Sequence, residues 1–249
     1  MEKTRVLAWF SCGVTSAVAC KLAVEKYKKS NLELRVIFCD TKSEHDDNYR
    51  FMADVEKWIN WPIEKLSSDK YEDTFDVYRK TRYLVGVHGA RCTTELKKNI
   101  RFKIEQPFTD IHIFGFCADE QKRVDRFVIN NPETFIEPIL IDNGFSKQDC
   151  FDLLENDIKI PITYNMGFHN ANCLKYGCVK GGKGYWNHIR KIFPVVFDNM
   201  ASLEREIGHA INRQTRKGIT KPIYLDELDP NSGNYKTEKY FDCGVLCTR

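Results

Sequence analysis

RVLAWF, residues 5–10, runs directly into SCGVTS, residues 11–16, and the fold turns on how this stretch is read. The first six residues form a short apolar run of the kind that makes a buried strand. The next six are small or hydroxyl-bearing and read as a turn. Ala17 to Lys29 then reads as a helix, with Val18, Leu22 and Val24 apolar and a lysine-rich end. A strand that passes through small residues into a helix is a physical recipe for holding phosphate. The first helical amides have no partner within the helix, the helix dipole favours an anion there, and small residues let the backbone approach closely. Ser11, Cys12, Gly13, Val14, Thr15 and Ser16 are therefore the candidate phosphate loop, although a plain strand–helix connection can carry the same composition.

Strand and helix patterns keep alternating outward from this loop. Leu34 to Phe38 reads as a strand, Asp46 to Trp58 as a helix with Phe51, Val55 and Trp58 on one face, and Ile63 to Leu66 as a strand. Asp110 to Phe116 is a further strand and Glu120 to Asn130 a helix. Phe135 to Ile141 is strand-like but broken by Pro138, which predicts an edge position or a break. Such alternation predicts an α/β fold, a parallel sheet with helices on both faces, through about residue 141. Ligands on such sheets sit at the carboxyl ends of strands, where the loops at Ser11, Asp40 and Phe116 fall. Ser146 to Glu155 is a helix with Ser146 as its cap and Asp149 three residues later. From Pro161 the character changes: glycines cluster at 177, 181, 182 and 184. A long helix is expected from about Val195 to Arg216, and loop from Asp229. We divide the chain into a nucleotide-binding domain, 1–157, and a helical, cysteine-containing C-terminal region, 158–249.

The chain of 249 residues is 42% apolar and 29% charged, ordinary for a globular protein. No run of about 18 apolar residues occurs, so no membrane-spanning helix is expected. Met1 to Phe10 lacks the pattern of a secretory signal, which predicts a cytosolic protein. The net charge of +3 is unevenly spread: Asp40 to Asp76 has eleven acidic and five basic residues, His169 to Lys221 ten basic and three acidic. A basic face suits a polyanion such as nucleic acid, or is simply a solvated helix face.

Ten cysteines are many for this length, and in the cytosol they would stay reduced. Cys12, Cys20, Cys39, Cys117 and Cys150 are scattered in mostly apolar settings, whereas Cys173 with Cys178 and Cys243 with Cys247 form two close pairs. Two loops with two thiols each suit a tetrahedral zinc site or an iron–sulfur cluster. Between the pairs, Lys180 to Trp186 mixes cations, glycines and aromatics. It reads as a loop that stacks on a nucleotide or single strand, or as Tyr185 and Trp186 entering the core at the start of a helix.

Ser11 to Ser16 resembles the phosphate loop of the PP-loop ATP-pyrophosphatase, or adenine nucleotide alpha-hydrolase-like, superfamily, whose usual form is Ser-Gly-Gly-x-Asp-Ser. Cys12 stands in place of a glycine and Thr15 in place of the aspartate associated with magnesium. A threonine hydroxyl is a weaker magnesium ligand than a carboxylate. Cys39 to His45, with Asp40 and Thr41, resembles the second-strand segment of that superfamily. Arg91-Cys92-Thr93-Thr94-Glu95-Leu96-Lys97 resembles both the Cys-Thr-x-x-Leu-Lys segment of the DNA-phosphorothioation sulfur-transfer enzymes and the Cys-Cys-x-x-Arg-Lys segment of sulfonucleotide reductases. Gly115 and Phe116, followed by Glu120, Lys122, Arg123 and Arg126, resemble a Gly-x-x-x-x-Glu-x-x-x-Arg region. These matches cover roughly residues 5–130 in the expected order, and together they resemble the phosphoadenosine-phosphosulfate (PAPS) reductase family. His45 also reads as a plain surface residue, and the basic residues at 91, 97, 122, 123 and 126 also read as solvated helix charges.

The resemblance implies an enzyme that binds ATP or a phosphosulfate (APS or PAPS), with or without magnesium, for sulfur activation or transfer. Ser11 to Ser16, Asp40, Thr41, Gly115, Phe116, Arg123 and Arg126 would hold the nucleotide. Cys92 with three of the four thiols Cys173, Cys178, Cys243 and Cys247 would supply a [4Fe–4S] cluster; the competing arrangement is zinc on those four paired thiols, with Cys92 free. Asp242-Cys243-Gly244-Val245-Leu246 resembles the reductases' nucleophile tail, without its histidine. Cys92 and Cys243 are thus the candidate catalytic thiols. The basic C-terminal third points to a nucleic-acid acceptor, served by a sulfur-donor protein. Rival readings are reduction of a phosphosulfate nucleotide with Cys243 as nucleophile, and a non-catalytic nucleotide- or nucleic-acid-binding module with structural zinc.

Overall fold

The structure, a computed structural model, describes residues 4–87, 89–171 and 173–238. Five strands form one all-parallel sheet: β1 (Arg5–Phe10), β2 (Glu33–Asp40), β3 (Ile63–Ser67), β4 (Asp110–Ile113) and β5 (Phe135–Glu137), in the spatial order β3-β2-β1-β4-β5. The predicted α/β architecture is what the chain adopts. The order reverses between β1 and β4, and the crevice outside their carboxyl ends is the topological switch point.

Strand composition follows sheet position. β1 is central, and Val6, Leu7 and Ala8 are fully buried because helices cover both faces. Its side chains alternate: Val6, Ala8 and Phe10 enter one apolar cluster, Leu7 and Trp9 another. The first cluster is closed by α1 (Val14–Tyr27), α2 (Asp46–Ile59) and α6 (Lys147–Glu155). α4, which runs from Arg91 to Ile104, and α5 (Gln121–Asn130) close the second. α4 is a composite element, α-helical over Arg91–Thr93, π-helical over Thr94–Lys98 and α-helical again over Asn99–Ile104. At the opposite end of the sheet, Arg5 ties β1 to β4 by a two-pronged pair with buried Asp110, at 2.9 and 2.7 Å. β5 lies at the edge and stops before Pro138, as expected from a residue that cannot donate to a ladder.

Helix ends follow local chemistry. Ser146 and Asp149 cap α6 reciprocally. His45 caps α2 by accepting the Asp47 amide at 3.2 Å, a structural role for that side chain. α1 begins at Val14, three residues earlier than expected. Strand β4 ends at Ile113 rather than running to Phe116.

The largest departure lies in the C-terminal third. α7 (Lys183–Ile192) and α8 (Pro194–Ile207) are helices, but the expected helix to Arg216 stops at Gly208, whose φ of +76° ends it with a left-handed cap. The apolar residue Ile211 continues the helical spacing, yet Asn212–Arg216 and Ile219–Ile223 pair as an antiparallel ribbon instead. β-branched residues and a Lys217-Gly218 turn outweigh the spacing. Tyr185 and Trp186 are buried at the start of α7, so the core reading of that segment holds. A third apolar cluster joins residues of 71–96, including α3 (Thr74–Thr81), to residues of 168–228.

Candidate functional site

The loop after β1 holds a cysteine in a backbone conformation that favours glycine. Cys12 has φ +59°, the left-handed region that favours glycine, and the resembled motif carries glycine at that place. Its side chain is wholly buried, with Sγ 3.7 Å from the Asn48 carbonyl. Burial, and then the Glu44 charge, pushes this thiol up, so it is a protonated packing group rather than a nucleophile. Gly13 is the extended cap residue of α1, and no side chain caps the first turn. The amides of Val14, Thr15 and Ser16 thus lie at the positive end of the helix. Ser16 holds the loop's shape: its Oγ accepts the Ser11 amide (3.0 Å) and the Ser11 hydroxyl (3.1 Å), and donates to the Gly13 carbonyl (2.8 Å). Ser11, Gly13 and Thr15 are half-exposed, while Val14 is buried.

Across the switch point the loop after β4 meets this turn backbone to backbone. A Cβ on Gly115 would lie 2.6 Å from the Ser16 nitrogen and 2.9 Å from both the Ser16 Cα and the Thr15 carbonyl carbon. Only a glycine fits that approach. Phe116 is buried beneath the Arg123 guanidinium, 4.9 Å from its ring centre, and Arg123 pairs with Glu120 at 2.7 Å. Glu120 also accepts the Cys117 amide at 3.0 Å. Arg126 and Lys122 are exposed on α5, with Arg126 Nε 3.3 Å from the Lys122 carbonyl.

The end of β2 completes the arrangement. Asp40 is buried and accepts the Lys42 amide and the Tyr49 hydroxyl, each at 2.8 Å, with Lys65 Nζ 3.7 Å away. It supports the loop that carries Thr41. The Thr41 hydroxyl donates to buried Glu44 at 3.0 Å and lies 3.4 Å from Cys173 Sγ. Asn48 donates to the other Glu44 oxygen at 3.1 Å and to the Ala171 carbonyl at 2.8 Å. Ala171 and Cys173 are thereby anchored to the loop after β2. Burial pushes the Glu44 carboxyl up, and the Lys97 ammonium leads the opposing influences. Lys97 also acts on Cys12 and Cys39, so this buried cation of the π-helical turn lies near the ends of β1 and β2. It is not the solvated helix charge that its sequence context allows. Single π-turns inside helices concentrate at functional sites.

Three of the expected thiol ligands lie around two buried tyrosines, Tyr78 and Tyr185. The Tyr78 hydroxyl donates to Cys92 at 3.0 Å, and Cys92, Cys178 and Cys173 all raise the Tyr78 ionisation, after burial itself. The Tyr185 hydroxyl accepts the Cys178 amide at 2.9 Å and feels Cys178 and Cys173 in the same way. All three cysteines are buried. Among the described residues, however, no three His, Cys, Asp or Glu side chains converge closely enough to hold a metal ion. Cys243 and Cys247 lie outside the described residues.

Sequence reasoning missed Tyr164, whose hydroxyl comes within 3.8 Å of where a Cβ on Gly13 would sit. Nothing in its local sequence marks it; the contact arises only when 158–165 returns over α1. Two surface clefts, of about 330 Å³ beside Leu22 and Glu137 and about 690 Å³ beside Phe197 and Asp226, are lined by residues other than Ser11 to Ser16. Among the described residues no helix is long and apolar enough to cross a membrane. No protein-family model matches this chain, and no curated protein matches it.

Proposed function

We propose that the chain is an adenine-nucleotide-dependent enzyme of sulfur activation or transfer, of the PAPS reductase type within the PP-loop superfamily. The observation that carries this reading is the meeting of two loops at the switch point, with Cys12 in a glycine conformation and Gly115 against the first turn of α1. Ser11, Gly13, Thr15 and Ser16 hold the phosphates, Asp40 and Thr41 support the adjoining loop, and Lys97 supplies a buried positive charge. Arg123, and Arg126 beyond it, serve the anionic group at the mouth. ATP adenylylates an acceptor oxygen with loss of pyrophosphate, and a sulfur nucleophile then displaces AMP. Nucleic acid is the acceptor, and a separate protein delivers the sulfur.

Thiolates suit both zinc and iron–sulfur groups. Cys92, Cys173 and Cys178 do not converge on a metal-sized site among the described residues and would have to draw together with Cys243 or Cys247 to hold such a group.

Calorimetric titration with ATP, APS and PAPS tests the reading. Binding of ATP with release of pyrophosphate supports it, and absence of heat with all three ligands refutes it. Binding of PAPS with a sulfite adduct that disappears in Cys243→Ser would instead assign phosphosulfate reduction. Anaerobic purification with iron, sulfide and zinc analysis distinguishes a cluster from zinc. Zinc with no nucleotide turnover would leave a binding module.

A further inference from the structure

The ribbon Asn212–Arg216/Ile219–Ile223 has no part in the site above. Its turn is a tight two-residue type: Lys217 and Gly218 have φ of +50° and +78°. Thr215 and Thr220 lock it with a hydroxyl–hydroxyl contact of 2.8 Å. At the root, Asn212 and its partner Ile223 are buried, while every residue from Thr215 to Pro222 is exposed. Buried Glu204 clamps both ends, one oxygen accepting the Ile211 amide and the other the Leu225 amide, each at 2.6 Å. The ribbon is a stiff finger standing off the body.

It is also strongly basic. Arg213, Arg216, Lys217 and Lys221 are exposed, and no acidic residue occurs between Glu206 and Asp226. The acids that flank it at the C-terminal root, Asp226 and Glu227, are held by Arg205 at 2.7 and 2.9 Å. Among the described residues none of the four ribbon cations is in an ion pair. Such a surface calls for a polyanion. Residues 212–223 contain no aromatic side chain, so the base stacking that holds single strands is missing. Lysine is also depleted at protein–protein interfaces. Two strands about 4.8 Å apart fit a B-DNA major groove about 12 Å wide, which admits a two-stranded ribbon, whereas the deep A-form RNA groove does not.

We infer that the ribbon Asn212–Ile223 enters the major groove of duplex DNA, with Arg213, Arg216, Lys217 and Lys221 on its phosphates. The inference stands on the ribbon alone and does not need the nucleotide reading.

The test is fluorescence anisotropy of the full chain with a labelled DNA duplex, without nucleotide, across salt concentrations. Four phosphate contacts give a slope of log affinity against log salt of about −3.6. Arg216→Gln with Lys217→Gln should bring it to about −1.8 and weaken binding on the order of 60-fold at 0.1 M salt. Arg216→Lys should keep the slope, and circular dichroism should show every variant folded. Unchanged affinity and slope in the double variant overturns the inference, as does duplex RNA binding as tightly as DNA. Displacement of DNA by polyglutamate of equal charge would overturn it in favour of an acidic protein partner. Calorimetry with ATP on the same proteins reports the nucleotide reading separately, and the double variant should leave it unchanged.

Discussion

Replacing Gly115 by alanine tests the proposed site at its tightest point. The added Cβ would sit 2.6 Å from the Ser16 nitrogen and 2.9 Å from two more backbone atoms, where ordinary contact begins at 3.4 Å. Backbone cannot swing aside as a flexible side chain can, so the two loops must part by roughly 0.8 Å, the gap between the close approach and ordinary contact. Overpacking of this kind costs about 1–3 kcal/mol, which for a chain of this size lowers Tm by roughly 2–12 °C. The displaced atoms belong to the first turn of α1, whose amides are proposed to face the phosphates. An ångström-scale shift of positioning groups costs on the order of 100-fold in rate. Gly115→Ala should therefore lose nucleotide binding or turnover far beyond its modest loss of stability. Urea denaturation and calorimetry on the same preparation measure the two effects. A variant that unfolds at the wild-type midpoint and gives the wild-type ATP heat would falsify the idea that this backbone contact shapes the loop.

The remaining predictions concern other parts of the molecule. Burial pushes the Glu204 carboxyl up to about 7 from 4.5. The folded state therefore binds this proton more tightly than the unfolded chain, and the associated stability is fully present below pH 4.5 and lost as pH rises through 7. The stability difference between wild type and Glu204→Gln, from urea curves, should fall by about 3 kcal/mol between pH 4.5 and 8; a flat difference contradicts it. At position 12, glycine should be more stable than alanine by about 1 kcal/mol, reversing the usual order, because only alanine keeps the left-handed strain. Equal urea midpoints for Cys12→Gly and Cys12→Ala would refute this. Trp186→Ala should cost about 3–5 kcal/mol, since the ring is fully buried and packs against Gly177. Loss of nucleic-acid binding without loss of stability would return Trp186 to a stacking role.

Much of the sheet was legible because central parallel strands are apolar on both faces. RVLAWF and the run Leu34 to Phe38 need no tertiary information to be recognised. Pro138 marked the sheet edge for an equally local reason, the missing amide. The ribbon was not legible, because Phe197 to Ile211 keeps helical spacing beyond the true end of α8. There a single left-handed glycine, Gly208, decides the outcome. The strand–turn–helix junction at residues 11–16 could be read because its pattern is local. Tyr164 and the burial of Lys97 could not, since both depend on segments far apart in sequence meeting over the strand ends.

The apolar cluster that joins 71–96 to 168–228 explains why distant residues converge on those strand ends. Tyr78, Leu84, Cys92 and Leu96 pack with Leu174, Cys178, Tyr185 and Trp186 in one continuous core. The same polypeptide that buries Trp186 therefore fixes Cys173 against Thr41 and Glu44, and Lys175 donates its amide to the Ser43 carbonyl at 3.2 Å. Packing energy from large buried rings, about 1.5–3 kcal/mol for each side chain, is what positions the thiols. The loop after β2 is the mechanical link: Glu44 and Asn48 join Ala171 and Cys173 to the strand that carries Asp40. A shift in the C-terminal core must consequently be felt at Thr41, one residue beyond the strand end.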